Sequence, residues 1–171
     1  MERRNAWLSY TEAEEKELEK TAKAYRNFLN VGKTERECVT QIVKEAREAG
    51  YESLEEKTAK GEKLKAGDKI YTVGMKKIVA LFHIGQDDIE EGMNILGAHI
   101  DSPRLDVKQN PLYEDTDLTY LDTHYYGGVK KYHWVALPLA IHGVIVKKDG
   151  TVVNVTVGEA EDDPVVYITD L

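Results

Sequence analysis

The sequence has 171 residues, of which 42% are hydrophobic and 32% are charged, a composition typical of one moderate globular domain or two small ones. Its formal net charge of −8 argues against a nucleic-acid partner, because neutralising phosphates requires clustered Lys and Arg. The single cysteine, Cys38, excludes an intrachain disulfide framework and favours a reducing compartment.

Neither a secretory signal nor a membrane span is predicted from the sequence. Residues 1–8 carry charge but are not followed by the apolar region that a secretory signal needs. The longest apolar run, 135–146, contains Pro138 and His142 and is shorter than the ~20 residues that cross a bilayer. We therefore expect a cytoplasmic protein without a membrane partner.

Two amphipathic helices are predicted at the start of the chain. Thr11 precedes a helical pattern of apolar residues that ends at Gly32, and acidic residues in its first turn suit the helix dipole. Thr34 and Glu37 form a capping-box pattern that opens a second helix. Cys38 lies on the apolar stripe of this second helix, so we interpret it as a core residue rather than a nucleophile.

The next part of the chain changes from a polar loop to strands. Residues 51–67 are polar and lysine-rich, which predicts a loop with at most a short helix. Residues 69–73 and 77–84 predict two strands joined as a tight hairpin. An acidic connection over 85–92 leads to the apolar run 93–98, which predicts a buried strand.

The last third of the chain reads as strands and turns. Residues 104–108 can extend a strand, and Asn110-Pro111 marks a turn. Four further strands are predicted at 118–126, 136–146, 152–158 and 165–169. The second and third of these are joined through Asp149-Gly150, a strong hairpin signal.

These patterns divide the chain into two regions of different class. Residues 1–103 have helices first and then strands, which predicts an α/β region, whereas 104–171 contain only strands with hairpin connections. We therefore place a domain boundary between residues 103 and 104.

The residues at that boundary are candidates for metal chemistry. His99 and Asp101 follow the predicted strand 93–98, and residues i and i+2 of an extended segment share one face. Neutral imidazole is the commonest metal ligand, and a carboxylate on its other nitrogen fixes its tautomer. The end of a strand is also where open α/β sheets bind ligands. A His-x-Asp pair is equally compatible with an ordinary strand-end histidine beside an acid, so the spacing leaves both interpretations open.

The remaining histidines are weaker candidates for a functional site than His99. His83 alternates with apolar neighbours and is interpreted as structural, and His142 as facing solvent or an interface. His124 and His133 could approach a site in three dimensions. The sequence contains no Gly-x-Gly-x-x-Gly, Gly-Lys-Ser/Thr, His-Glu-x-x-His or Gly-x-Ser-x-Gly motif.

Three stretches together resemble the aminopeptidase I / aspartyl aminopeptidase family of zinc metallopeptidases: GAHIDSPRL at 97–105, YGG at 126–128 and LAIHGVIV at 139–146. The resemblance also extends through the amino-terminal helices and the hairpin. It implies a hydrolase that removes amino-terminal residues from peptide substrates with two zinc ions per complete site. It also implies an α/β proteolytic domain, of which 1–103 would be the amino-terminal part, interrupted by a β-rich dimerisation domain beginning at 104. Such enzymes form homo-oligomers, here expected to be a tetrahedral dodecamer.

Carried over residue by residue, the resemblance implies that His99 is a ligand of one zinc ion and that Asp101 is the acid that orients an imidazole ligand. The bridging Asp, the Glu general base and the other ligands of the family have no match in this sequence. We therefore expect the chain to be the amino-terminal portion of a longer enzyme, and the isolated 171-residue polypeptide to be inactive with weak metal affinity.

Two other functions stay open on the sequence alone. The chain could be a non-catalytic self-association module, in which the β-rich half provides the pairing surface and His99 belongs to a vestigial metal site. It could also be a small metal-binding protein that completes its site between two chains. Metal-independent association would favour the first, and zinc-dependent dimerisation that requires His99 would favour the second.

Overall fold

The computed structural model describes residues 5–169. The chain divides into two compact units between His99 and Ile100, and the predicted boundary between 103 and 104 lies slightly further along the chain. The fold is a mixed α/β structure of helices and small sheets, as predicted. The assignment of the two regions to a proteolytic and a dimerisation domain stays a prediction.

Both predicted amino-terminal helices are present in the first unit, as α1 (Glu12–Val31) and α2 (Glu35–Glu48). Each begins with a capping box. The side chains of Thr11 and Thr34 accept a hydrogen bond from the backbone N–H three residues later, and the glutamate there accepts one from the threonine N–H. Each box satisfies two backbone donors that the first helical turn leaves without partners.

A three-stranded sheet completes the first unit. Its order is β1 (Glu52–Ser53), β2 (Lys69–Gly74) and β3 (Ile78–His83), with β1 parallel and β3 antiparallel to β2. The β2–β3 pair is the predicted hairpin. The short helix allowed for within 51–67 is α3 (Leu54–Ala59).

The core of the first unit is small and involves α2, β1 and β2. Its buried residues are Ser53 and the apolar Cys38, Val39, Ala46, Ile70 and Tyr71. The core interpretation of Cys38 is confirmed, since this residue is 5% exposed. Burial, with smaller contributions from Glu37 and Glu35, raises the pKa of the Cys38 thiol, which disfavours the thiolate that a nucleophile requires.

The predicted buried strand at 93–98 is wrong. These residues form no strand, and Ile95 and Leu96 are strongly exposed. An apolar run indicates that a segment favours burial, but a strand also needs a neighbour to bond with. Within residues 5–169, no strand pairs with 93–98.

In the second unit, β4 (Arg104–Asp115) and β5 (Leu118–Tyr126) form an antiparallel pair. The predicted turn at Asn110-Pro111 is wrong, because both residues lie inside β4, where the pairing register shifts. Proline has no N–H to donate to a ladder, and an irregularity of this kind accommodates it without turning the chain. The turn follows after Asp115.

A second antiparallel pair is formed by β6 (Ile141–Val146) and β7 (Val152–Val157), joined by the predicted turn. The strand expected from residue 136 begins only at 141. The strand expected at 165–169 is reduced to a single bridge between Leu139 and Val166. The positive φ of Ala136, 62°, and the ring of Pro138 account for the late start of β6.

No residue described in the second unit is fully buried. Across residues 5–169, no helix combines the length and apolar character that crossing a bilayer requires.

Candidate functional site

His99, the predicted metal ligand, is the last residue of the first unit. It follows the exposed stretch 93–98 in non-helical backbone, and its side chain is exposed. An imidazole on such a segment is accessible to an ion from solvent. His99 therefore does not follow a strand at 93–98, although one was predicted there.

Asp101, the predicted orienting acid, is half-buried in the second unit. The hydroxyl of Tyr126 donates a hydrogen bond to its Oδ2, with an O···O distance of 2.9 Å. Hydrogen bonds from a hydroxyl to a carboxylate are stronger than those between neutral groups. This bond therefore restrains the rotation of the Asp101 carboxylate.

The end of the β4–β5 hairpin brings Tyr126 to Asp101. Tyr126 is the last residue of β5 and pairs with Arg104, the first residue of β4. Asp101 lies three residues before that pair. Immediately after Tyr126, Gly127 has a φ of +75°, and a Cβ at this position would lie 3.6 Å from Pro103. The turn after β5 is therefore close to the segment that carries Asp101.

Arg104 extends this arrangement into a chain of polar contacts. Its guanidinium carbon lies 4.2 Å from the centroid of the Tyr126 ring, within the range of a cation–π interaction. Its Nε donates a hydrogen bond of 2.7 Å to Oδ1 of Asp106. We call Asp101, Tyr126, Arg104 and Asp106 the Asp101 network.

The other histidines have different neighbours, and His124 is the cross-strand partner of Asp106 in the β4–β5 ladder. His83 is exposed in β3 and pairs with Lys69, and the ring of His133 lies 4.2 Å from that of Tyr132. The solvent-facing alternative for His142 is wrong, because its side chain is only 12% exposed and its Nε2 lies 3.1 Å from Oε1 of Glu159.

The donor set of the described residues tests whether a zinc ion fits. Imidazole is a suitable zinc ligand, so His99 fits as one ligand, and a carboxylate such as Asp101 suits the orienting role. A catalytic zinc takes three protein ligands as a rule. Among residues 5–169, however, no three His, Cys, Asp or Glu side chains are grouped to hold a metal ion. This part of the chain thus provides one candidate ligand rather than a complete site.

The sequence interpretation gave no role to Tyr126 or Arg104. Both stand in the stretches that carry the family resemblance, at 126–128 and 97–105. The available signal was that both are terminal residues of predicted strands, 104–108 and 118–126. The register that pairs them depends on the bulge in β4 and on the position of the turn, which the sequence interpretation placed wrongly.

Comparison with known proteins defines the class to which this fold and these residues belong. The family model described as aminopeptidase I zinc metalloprotease (M18) matches residues 28–171. The chain therefore belongs to the M18 family of aminopeptidases, and the resemblance inferred from the sequence is confirmed.

Particular relatives agree with this membership. The chain is 57% identical over 170 residues to a probable M18 family aminopeptidase 1 of Clostridium acetobutylicum, covering 99% of this chain and 37% of that protein. It is 43% identical over 175 residues to a protein of the same description from Thermotoga maritima, covering 100% of this chain and 36% of that protein.

Solved structures show the same fold. The crystal structure of aminopeptidase I from Borrelia burgdorferi aligns with a TM-score of 0.90 at 40% identity, covering 98% of this chain and 41% of that one. That of aminopeptidase I from Clostridium acetobutylicum aligns with a TM-score of 0.84 at 57% identity, covering 100% of this chain and 38% of that one. The chain thus spans well under half of the length of the relatives that it matches.

Proposed function

We propose that this chain contributes to a zinc-dependent aminopeptidase that hydrolyses the first peptide bond of peptide substrates. Membership of the M18 aminopeptidase family carries the proposal. The accessible imidazole of His99 and the restrained carboxylate of Asp101 support it, because both groups suit a metal site.

In this proposal His99 binds one zinc ion, and Asp101 orients an imidazole ligand by accepting a hydrogen bond from its second nitrogen. A bound zinc ion polarises the scissile carbonyl and lowers the pKa of a coordinated water. The complete site holds two zinc ions, and its other ligands lie outside the described residues or on another chain. The isolated 171-residue polypeptide is accordingly inactive.

We also propose a domain organisation, a compartment and an oligomeric state for the enzyme. Residues 1–103 contribute to the proteolytic domain and 104–171 to a dimerisation domain of a cytoplasmic homo-oligomer, a tetrahedral dodecamer. The single cysteine supports the compartment, and the largely exposed strands of the second unit support association through β-rich surfaces.

The full-length product of the native gene tests the proposal. We expect it to release amino-terminal residues from peptides, to lose this activity on chelation and to regain it with zinc. Asp101→Asn should reduce zinc affinity or activity about 10- to 100-fold, as removal of an orienting carboxylate does, and His99→Ala should reduce both at least as much.

His83→Ala is the matched control, because His83 is another exposed histidine but lies in β3. It should leave zinc affinity and turnover unchanged. Full activity in His99→Ala, or activity that persists without metal, would refute the proposed site.

The second candidate is a non-catalytic self-association module with a vestigial metal site. The exposed apolar residues Ile145, Val146 and Val152 of the β6–β7 hairpin favour it, because exposed apolar strands promote pairing between chains. Sedimentation of the metal-free protein, combined with a peptidase assay of the full-length protein, decides between the two. Tight association unchanged by His99→Ala, together with absence of peptidase activity in the full-length protein, would favour the module.

A further inference from the structure

We infer that Tyr126 is a positioning residue of the metal site, which holds the Asp101 carboxylate in the orientation that meets a metal-bound imidazole. The inference rests on the proposed function, and it assigns roles to two further residues. Tyr126 acts on Asp101 through its hydroxyl, and Arg104 acts on Tyr126 through its ring.

The hydroxyl of Tyr126 donates a hydrogen bond to the Asp101 carboxylate. A phenol is a donor at neutral pH, and a carboxylate can accept about four hydrogen bonds in total. The bond of 2.9 Å to Oδ2 of Asp101 is therefore compatible with a further bond from an imidazole N–H. The bond restrains rotation about the side-chain torsions of Asp101. An acid that orients an imidazole ligand needs this restraint, because the imidazole must keep one tautomer and one ring direction.

The Tyr126 ring is also restrained, through its contact with Arg104. Because the Arg104 guanidinium carbon lies 4.2 Å from the ring centroid, the ring is restrained on one face by a cation. Arg104 is restrained in turn by its hydrogen bond of 2.7 Å to Asp106. The phenol is thus part of a connected set of contacts rather than a freely rotating side chain on an exposed strand.

The backbone that carries these groups is restrained as well. Arg104 and Tyr126 form the terminal pair of the β4–β5 ladder, and Gly127 approaches Pro103 closely enough that an added Cβ would be in van der Waals contact with it. Asp101 is therefore attached, through two residues, to the end of a hydrogen-bonded ladder. Tyr126 lies on this ladder, and a functional group on a strand is positioned more accurately than one on a loop.

Tyr126→Phe tests the inference, because it removes the hydroxyl and keeps the ring that Arg104 contacts. In the full-length protein we expect a loss of zinc affinity of about 10-fold, the lower end of the range for groups that orient metal ligands. Affinity is measured by competition with a chromophoric chelator. We also expect kcat to fall with KM unchanged, because the change affects the metal rather than the binding of the peptide.

Tyr125→Phe is the matched control. Tyr125 is the neighbouring tyrosine of β5, 56% exposed, and its side chain projects to the opposite face of the strand. The control should retain wild-type zinc affinity. Thermal unfolding midpoints of the two variants, measured without metal, show whether Tyr126→Phe alters the fold, and we expect the two midpoints to agree.

A double-mutant cycle separates positioning from a merely structural role. If Tyr126 acts through Asp101, then Tyr126→Phe should cause no further loss of zinc affinity in an Asp101→Asn background. Arg104→Met should reduce zinc affinity less than Tyr126→Phe does, since it leaves the hydroxyl in place.

Wild-type zinc affinity in Tyr126→Phe would overturn the inference, and so would an equal loss in the presence and absence of Asp101→Asn. Both results would leave the proposed function intact as long as the wild-type protein is a zinc-dependent aminopeptidase. A wild-type protein that neither binds zinc nor releases amino-terminal residues would overturn the proposed function and this inference together.

Discussion

In the first unit, α2 buries Cys38, Val39 and Ala46, whereas no residue described in the second unit is fully buried. The first unit thus has a hydrophobic core of its own, although a small one. The second consists of two hairpins, and a two-stranded hairpin without a packed face is marginally stable in water.

Hydrogen bonds order parts of the second unit in which no described residue is buried. One carboxylate oxygen of Asp163 accepts hydrogen bonds from the backbone N–H groups of Gly158, Glu159 and Ala160, and the Asp101 network lies at the end of the β4–β5 hairpin. The candidate site residue Asp101 is half-buried, and a directional hydrogen bond rather than a hydrophobic core restrains it. Substitutions in the two units should therefore have different effects.

The largest effect is expected from Ile70→Ala in the first unit. Ile70 is 3% exposed, and truncation of a buried isoleucine to alanine costs about 2–5 kcal/mol through lost burial and the remaining cavity. Urea unfolding followed by far-UV circular dichroism measures this cost. The helical signal reports on the first unit, because α1, α2 and α3 all lie there.

Ile145→Ala is the corresponding change in the second unit, where the side chain is 56% exposed. We expect a cost below about 1 kcal/mol, within the range of strand propensity. Equal costs for Ile70→Ala and Ile145→Ala would contradict the difference between the two units.

An effect smaller than that of Ile70→Ala is expected from Thr34→Ala, which removes the capping box of α2. Loss of a threonine cap costs about 1 kcal/mol, and here it should destabilise the whole first unit because α2 contributes to its core. Thr11→Ala removes the same motif from α1, which has no buried residue. It should increase hydrogen exchange near residue 12 with little change in the urea midpoint, and equal shifts of that midpoint would argue against this contrast.

The most local effect is expected when the Asp163 carboxylate in the second unit is protonated or removed. Hydrogen bonds from the backbone of Ala160 and Gly158 lower the pKa of its carboxyl group. Since the folded-state pKa is below the unfolded value, the stabilisation is present above about pH 4 and is lost as the pH falls through the folded-state pKa.

Amide hydrogen exchange measures this pH dependence. Protection factors at residues 158–160 should decrease below about pH 4 in the wild type. In Asp163→Ala these amides should already be weakly protected at neutral pH, so the decrease should be absent. Asp149→Ala is the control, since Asp149 accepts its backbone hydrogen bond from Thr151 in a different turn. A pH-dependent decrease that persists in Asp163→Ala would assign it to another group.

The features predicted correctly from the sequence depend on residues close together in the chain. The cap at Thr11 and the capping box at Thr34 join groups three residues apart, and the β6–β7 turn is specified by Asp149-Gly150. The core position of Cys38 follows from helical spacing alone. Local geometry suffices for each of these features.

The errors concern pairing between distant residues. The run 93–98 has the composition of a buried strand but no neighbouring strand within residues 5–169. Asn110-Pro111 has the composition of a turn, yet the ladder continues past it through a shift in register. Composition indicates what a segment prefers, whereas register depends on the partner.

The mixed α/β class, the two amino-terminal helices with their caps, and the candidate residues His99 and Asp101 follow from the sequence. The hydrogen bond from the Tyr126 hydroxyl to Asp101, 25 positions away, and the contact of Arg104 with the Tyr126 ring are seen only in the folded structure. Caps and turns form within a few residues, whereas these contacts exist only after β4 and β5 have paired in one particular register.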